Sequence, residues 1–202
     1  MFKLVHVLLA WSLLAPVGTP VSADSPADTA PDAPFGLQWL QSTERVRALG
    51  VILNNETTGN WGQSFAASGL PKQLVDQENT SLRFGYSNKL LSMAAVGTSH
   101  KNDRYGAEIR SRFDELKDVL QSKYGKGQIH EHTDDHYGGD DYALGIANHN
   151  NWRYIDFETP QMKLQLSISA NYTTTYWVIV AESLAGMAEL KAEKAKKEGD
   201  SL

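Results

Sequence analysis

The chain has 202 residues, 41% hydrophobic and 21% charged, the balance of one ordinary globular domain rather than a disordered, fibrous or multi-pass membrane protein. Cysteine is absent, which excludes disulfides, thiolate metal sites, a cysteine nucleophile and a lipidated N-terminal cysteine. The formal charge of -5 argues against nucleic acid as a partner.

Lys3, the apolar run from Leu4 to Ala15, and Val21-Ser22-Ala23 read as a secretory signal peptide over residues 1–23, cleaved after Ala23. The apolar run is shorter than the roughly 20 residues a membrane span needs, so no span is expected. Small exported eukaryotic domains usually carry disulfides; a cysteine-free exported chain points to a bacterial periplasm or the medium. The glycosylation patterns at Asn55, Asn79 and Asn171 are then coincidental.

Residues 24–34, with three prolines and no large apolar side chain, predict a flexible leader, and the domain is expected over residues 35–186. Alternation predicts a strand over residues 35–39. Ser42 or Thr43 can cap a short helix carrying Val46 and Leu49 and closed by Gly50, followed by a strand at Val51, Ile52 and Leu53. Residues 54–69, rich in Gly, Asn, Ser and Thr, predict a long loop, and residues 70–75, 81–86 and 90–96 predict strands.

Tyr105, Ile109, Phe113, Leu116, Leu120 and Tyr124 recur every three or four residues and predict a long helix over residues 104–124 with a buried stripe. Asn102 or Asp103 is its expected cap. Glu108 with Arg112, and Arg110 with Asp114, are expected as solvent-side pairs.

A strand over residues 127–131, an acidic loop, a short helix over residues 140–148 and three further strands complete the domain. The Ala, Lys and Glu tail over residues 187–202 is expected to be helical or frayed into solvent. The order predicts an α+β fold, mostly antiparallel sheet packed by one long and two short helices, an arrangement that two similar α/β-meander halves would satisfy. No glycine-rich phosphate loop or Gly-x-Ser-x-Gly nucleophile setting occurs, so no catalytic constellation and no cofactor are expected.

Two clusters stand out. His130, His132, Asp134 and His136 offer imidazole and carboxylate ligands, although one extra residue separates Asp134 from His136 relative to the metal motif of metallo-β-lactamase-like hydrolases. The wider window contains Glu131, Asp134, Asp135, His136, Tyr137, Asp140 and Asp141, unsuited to an apolar core and suited to a partner protein with a basic surface. Asp156 and Glu158 alternate on one strand face, where two acids are ordinarily surface residues.

Phe35-Gly36-Leu37-x-Trp39, then Ser42 or Thr43, Val46 and Gly50, and later Tyr105-Gly106, Leu116, Leu120 and Lys123-Tyr124-Gly125, resemble a loose group of bacterial envelope proteins that open Phe-Gly-Leu-x-Trp-Gly-x-Ser. The likeness covers residues 35–130 and departs at Leu40, where that group has glycine. More distantly, the short helix and meander are similar to α+β modules of β-lactamase-inhibitor proteins and of outer-membrane assembly lipoproteins. These resemblances imply protein binding and bring no catalytic residues. The leading expectation is a soluble periplasmic protein-binding factor, an inhibitor or immunity protein against a toxin or hydrolase. The alternatives are a metal-dependent envelope hydrolase using the histidine cluster and an outer-membrane assembly accessory.

Overall fold

The computed structural model describes residues 31–59 and 61–199. The expected signal peptide and residues 24–30 of the leader lie outside the described residues. Four helices, α1 (Thr43–Ala48), α2 (Ala107–Tyr124), α3 (Tyr142–Ala147) and α4 (Leu184–Gly199), accompany eight strands. The strands are β1 (Ile52–Gly59), β2 (Gly62–Ser68), β3 (Gln77–Phe84), β4 (Leu90–Gly97), β5 (Gln128–His132), β6 (Trp152–Glu158), β7 (Met162–Asn171) and β8 (Thr174–Ser183).

All pairings are antiparallel, and the strands form one sheet of order β1-β2-β3-β4-β8-β7-β6-β5. The protein is therefore α+β, as the sequence predicts, and its topology divides into two halves. Each half is a helix followed by a four-strand meander; the last strands, β4 and β8, pair at the centre with Ala94 opposite Val180. The second half differs by the insertion of α3 between β5 and β6.

One sheet face is apolar because alternate residues of β3, β4, β6, β7 and β8 are mostly Leu, Ile, Phe, Met or Trp. Leu82, Met93, Ile155, Leu166, Trp177 and Ile179 belong to the same buried cluster as Ile109, Phe113 and Leu116 of α2. That helix stripe falls where its period places it. The helix itself starts later than expected, at Ala107, so Tyr105 precedes it and is exposed. Asp103 caps it from outside: its carboxylate accepts from the Glu108 and Ile109 backbone N–H groups at 3.2 and 3.0 Å, and from the buried Thr175 hydroxyl at 2.8 Å.

Several expectations are corrected. Most of residues 54–69 belong to the paired strands β1 and β2 rather than to a loop; the Asn and Thr side chains of β1 suit an exposed edge strand, so composition conceals it. Residues 35–39 form a tight turn in place of a strand, with Phe35 and Gly36 at φ 60° and 79°. Residues 70–75 are a connection in which Val75 is fully exposed. The order of the domain begins before Phe35: the Ala33 N–H donates to the Leu37 carbonyl, the Pro31 carbonyl accepts from the Trp39 N–H, and Ala33 is buried in the core.

Of the helical and frayed alternatives the tail takes the helical one over its described residues, and it is docked instead of standing in solvent. Leu190 is buried, Lys89 meets Glu189 at 2.7 Å, and Lys194 lies over the Trp61 ring at 4.3 Å. The expected α2 pairs also re-sort. Arg112 reaches Asp76 and Glu115, Glu108 reaches His100, Asp114 reaches Lys117 and Arg153, and Arg110 donates to the Gly106 and Tyr105 carbonyls. Glu108, Arg112 and Asp114 find partners outside the helix in His100, Asp76 and Arg153, while Arg110 turns back onto the helix start.

Candidate functional site

The acidic loop between β5 and α3 is built around Asn151, which is almost fully buried. Its amide donates to the Tyr137 and Tyr142 carbonyls at 3.0 and 3.2 Å, and its side-chain oxygen accepts from the Asp134 N–H at 2.8 Å. One side chain thus pins both ends of the loop.

Most loop charges are matched locally. The Asp134 carboxylate accepts the His136 backbone N–H at 2.8 Å and lies 3.2 Å from its ring, so its pKa is lowered chiefly by the backbone hydrogen bond. Arg153 is 3.4 Å from Glu131, and Arg104 donates two hydrogen bonds to Asp141 at 2.9 and 2.7 Å. Asp135 and Asp140 make no salt bridge among the described residues. His136 is almost fully exposed, whereas Tyr137 is half-buried.

The candidate metal set does not assemble. Among the described residues no three His, Asp or Glu side chains are placed to hold an ion. His130 and His132 share one face of β5, where their rings stack on Tyr154 and Trp152 of β6 at 4.7 and 4.3 Å. The chain then turns away, and Asp134 is engaged in capping its own loop.

Those stacks belong to a larger surface. The strand register carries His130 across the sheet to Tyr154, Ser167, Val178 and Val96, and carries Gln128 to Asp156, Gln165, Val180 and Ala94. All project from the face opposite α2, because directly paired residues share a face and their strand neighbours line the core. Trp152 is 43% exposed and Val180 37% on this face.

Beside the stacked rings lies a groove of about 460 Å³ lined by Gln128, Asp156, Glu158, Lys163, Gln165 and Glu182. Lys163 faces Glu158 at 3.7 Å; Asp156 accepts from the Gln165 amide at 2.9 Å and lies 3.5 Å from His130. Three carboxylates against one lysine leave the groove negative.

The sequence pattern singles out the acidic loop; strand register adds Trp152, Tyr154 and Glu182 on the neighbouring sheet face. The period-two recurrence of His130 and His132, matched by Trp152 and Tyr154 on the next strand, was the available signal. Comparison with protein-family models, curated proteins and solved structures finds no match to this chain.

Proposed function

We propose that this chain is an exported protein-binding factor, an inhibitor or immunity protein, which docks a partner with a basic surface on the sheet face opposite α2. The observation that carries this reading is the pairing of an exposed aromatic rack, His130 on Tyr154 and His132 on Trp152, with the negative groove at Asp156, Glu158 and Glu182. Aromatic side chains held rigid by stacking supply contact area at low entropic cost, the property of interface anchors. The adjacent carboxylates can receive a lysine or arginine of the partner and steer its approach. Antiparallel strands fix the spacing of both groups, so the surface is pre-formed and binding orders little backbone. The periplasmic setting rests on residues 1–23 alone.

The test is capture from a periplasmic extract by the wild-type protein, by Trp152→Ala with Glu182→Gln, and by Val119→Ala on exposed α2 surface. The reading requires that the sheet-face variant lose the captured protein while the α2 variant keeps it, and that hydrogen exchange of the complex show protection over β5 to β8. Equal capture by all three, or protection confined elsewhere, overturns it.

A further inference from the structure

A second hollow, independent of the sheet face, lies where residues 32–45 meet the β2–β3 connection and the last turn of α2. It has a volume of about 490 Å³, within the range of small-molecule sites. Arg45 of α1, Lys72 of the connection and Lys123 of α2 converge on it. None of the three has a salt bridge among the described residues; Lys123 only lies over the neighbouring Tyr124 ring at 4.9 Å. Asp32 is the sole carboxylate in the lining, which therefore carries a net positive charge.

The wall also contains Gln41, only 8% exposed, whose side-chain amide nitrogen has no hydrogen-bond partner among the described residues. The Gln41 carbonyl accepts from the Leu90 N–H at 2.9 Å, so its backbone is held and the amide cannot escape to solvent by a shift of the chain. A buried N–H donor without an acceptor is destabilising, and an acceptor brought to this wall would relieve that cost. Next to this hollow, and sharing Lys72, Lys123 and Tyr124 with it, is a slot of about 150 Å³ walled by Phe35, Leu74 and Leu120.

We propose that this paired hollow binds a small amphipathic anion, a carboxylate or phosphate monoester with a short alkyl or aromatic substituent. The anionic head would accept from Gln41 and meet Arg45, Lys72 and Lys123; the substituent would enter the slot beside Leu120. Neutral apolar molecules lack a partner for the cations, and inorganic anions leave the slot unused.

Titration calorimetry of the full chain with hexyl phosphate, inorganic phosphate and hexanol tests this. Hexyl phosphate should bind at one equivalent, about tenfold or more tighter than inorganic phosphate, and hexanol should give no saturable signal. Lys72→Gln with Lys123→Gln, two exposed positions, should weaken hexyl phosphate by about tenfold or more, while Lys191→Gln on α4 should not. Gln41→Leu should weaken it too, with circular dichroism checking that the variant folds. No saturable binding of hexyl phosphate, equal binding of hexanol, or an unchanged affinity in the double lysine variant overturns the proposal.

Discussion

Asp76 and Arg112 form a bidentate ion pair, 2.6 and 2.8 Å at the two carboxylate oxygens, although they are 36 positions apart. The same carboxylate accepts the indole N–H of buried Trp177 at 2.8 Å. Gly97 makes this possible, since a Cβ there would collide with the Trp177 ring. The β2–β3 connection, α2 and β8 are thereby locked together through one acid.

Arg112→Ala should destabilise the protein by about 2–3 kcal/mol, between the values for exposed and fully buried pairs, because both partners are only about a quarter exposed and Asp76 would be left uncompensated. Glu115→Ala, which removes the exposed partner of the same arginine, should cost less than about 1 kcal/mol. Urea titrations decide it; equal small effects would show that the pair is merely superficial.

The pair also sets a pH dependence. Burial works to raise the Asp76 pKa, but hydrogen bonds from Arg112 and Trp177 outweigh it and hold the carboxyl below its ordinary value of 3.8. A depressed folded pKa means that the unfolded chain takes up the proton first on acidification. The stabilisation is complete above the ordinary carboxylate pKa, about 4, and is lost as pH falls through the folded value. Asp76→Asn should therefore lose less stability than wild type on acidification below the ordinary carboxylate pKa of about 4, read from denaturant midpoints. Parallel acid limbs for the two proteins would show that this carboxyl does not report.

Phe113→Ala removes a wholly buried ring from the centre of the α2 stripe, over which Arg153 also lies at 4.9 Å. The expected loss is about 3–5 kcal/mol. A loss under about 1 kcal/mol would mean that the cavity collapses or that the helix does not pack as described.

At the N-terminal boundary, a chain starting at Pro31 and one starting at Phe35 should differ. The shorter one loses the buried Ala33 and the hydrogen bonds to Leu37 and Trp39, and its melting temperature should fall by several degrees, about 4 °C per kcal/mol in a domain of this size. Matching melting curves would place these residues outside the cooperative unit.

What the sequence made legible follows from periodicity. The α2 stripe and the C-terminal strands declare themselves because Phe113 or Leu166 must face the core and their neighbours must not. The β1–β2 hairpin was hidden because an edge strand of Asn, Glu and Thr has the composition of a loop. The docking of α4 was hidden because Leu190 is its one large buried anchor; its other contacts are the close seat of Gly186 against Leu91, the Lys89–Glu189 pair, and Lys194 and Lys197 over Trp61 and Tyr86. At the candidate site the individual residues were visible, but their assembly was not. Only strand register brings His132 onto Trp152, twenty positions later, and converts an apparent ligand cluster into an aromatic surface.

The acidic loop yields the last prediction, because its carboxylates divide into two groups. Glu131, Asp134 and Asp141 are engaged with Arg153, His136 and Arg104, whereas Asp135 and Asp140 have no salt bridge among the described residues. Neutralising the pair without salt bridges, Asp135→Asn with Asp140→Asn, should leave the melting temperature unchanged and slow association with the proposed basic partner, by a factor that shrinks as salt rises. Neutralising Asp134 should instead loosen the loop, since its carboxylate holds the turn at His136 beside the Asn151 pin. Its mark should be faster amide exchange over residues 133–138 at any ionic strength. Stopped-flow association at two salt concentrations, with exchange measured on the free proteins, separates the two effects. A double variant that associates at the wild-type rate in low salt would confine steering to the groove at Asp156 and Glu182, where the carboxylates lie on the docking face itself.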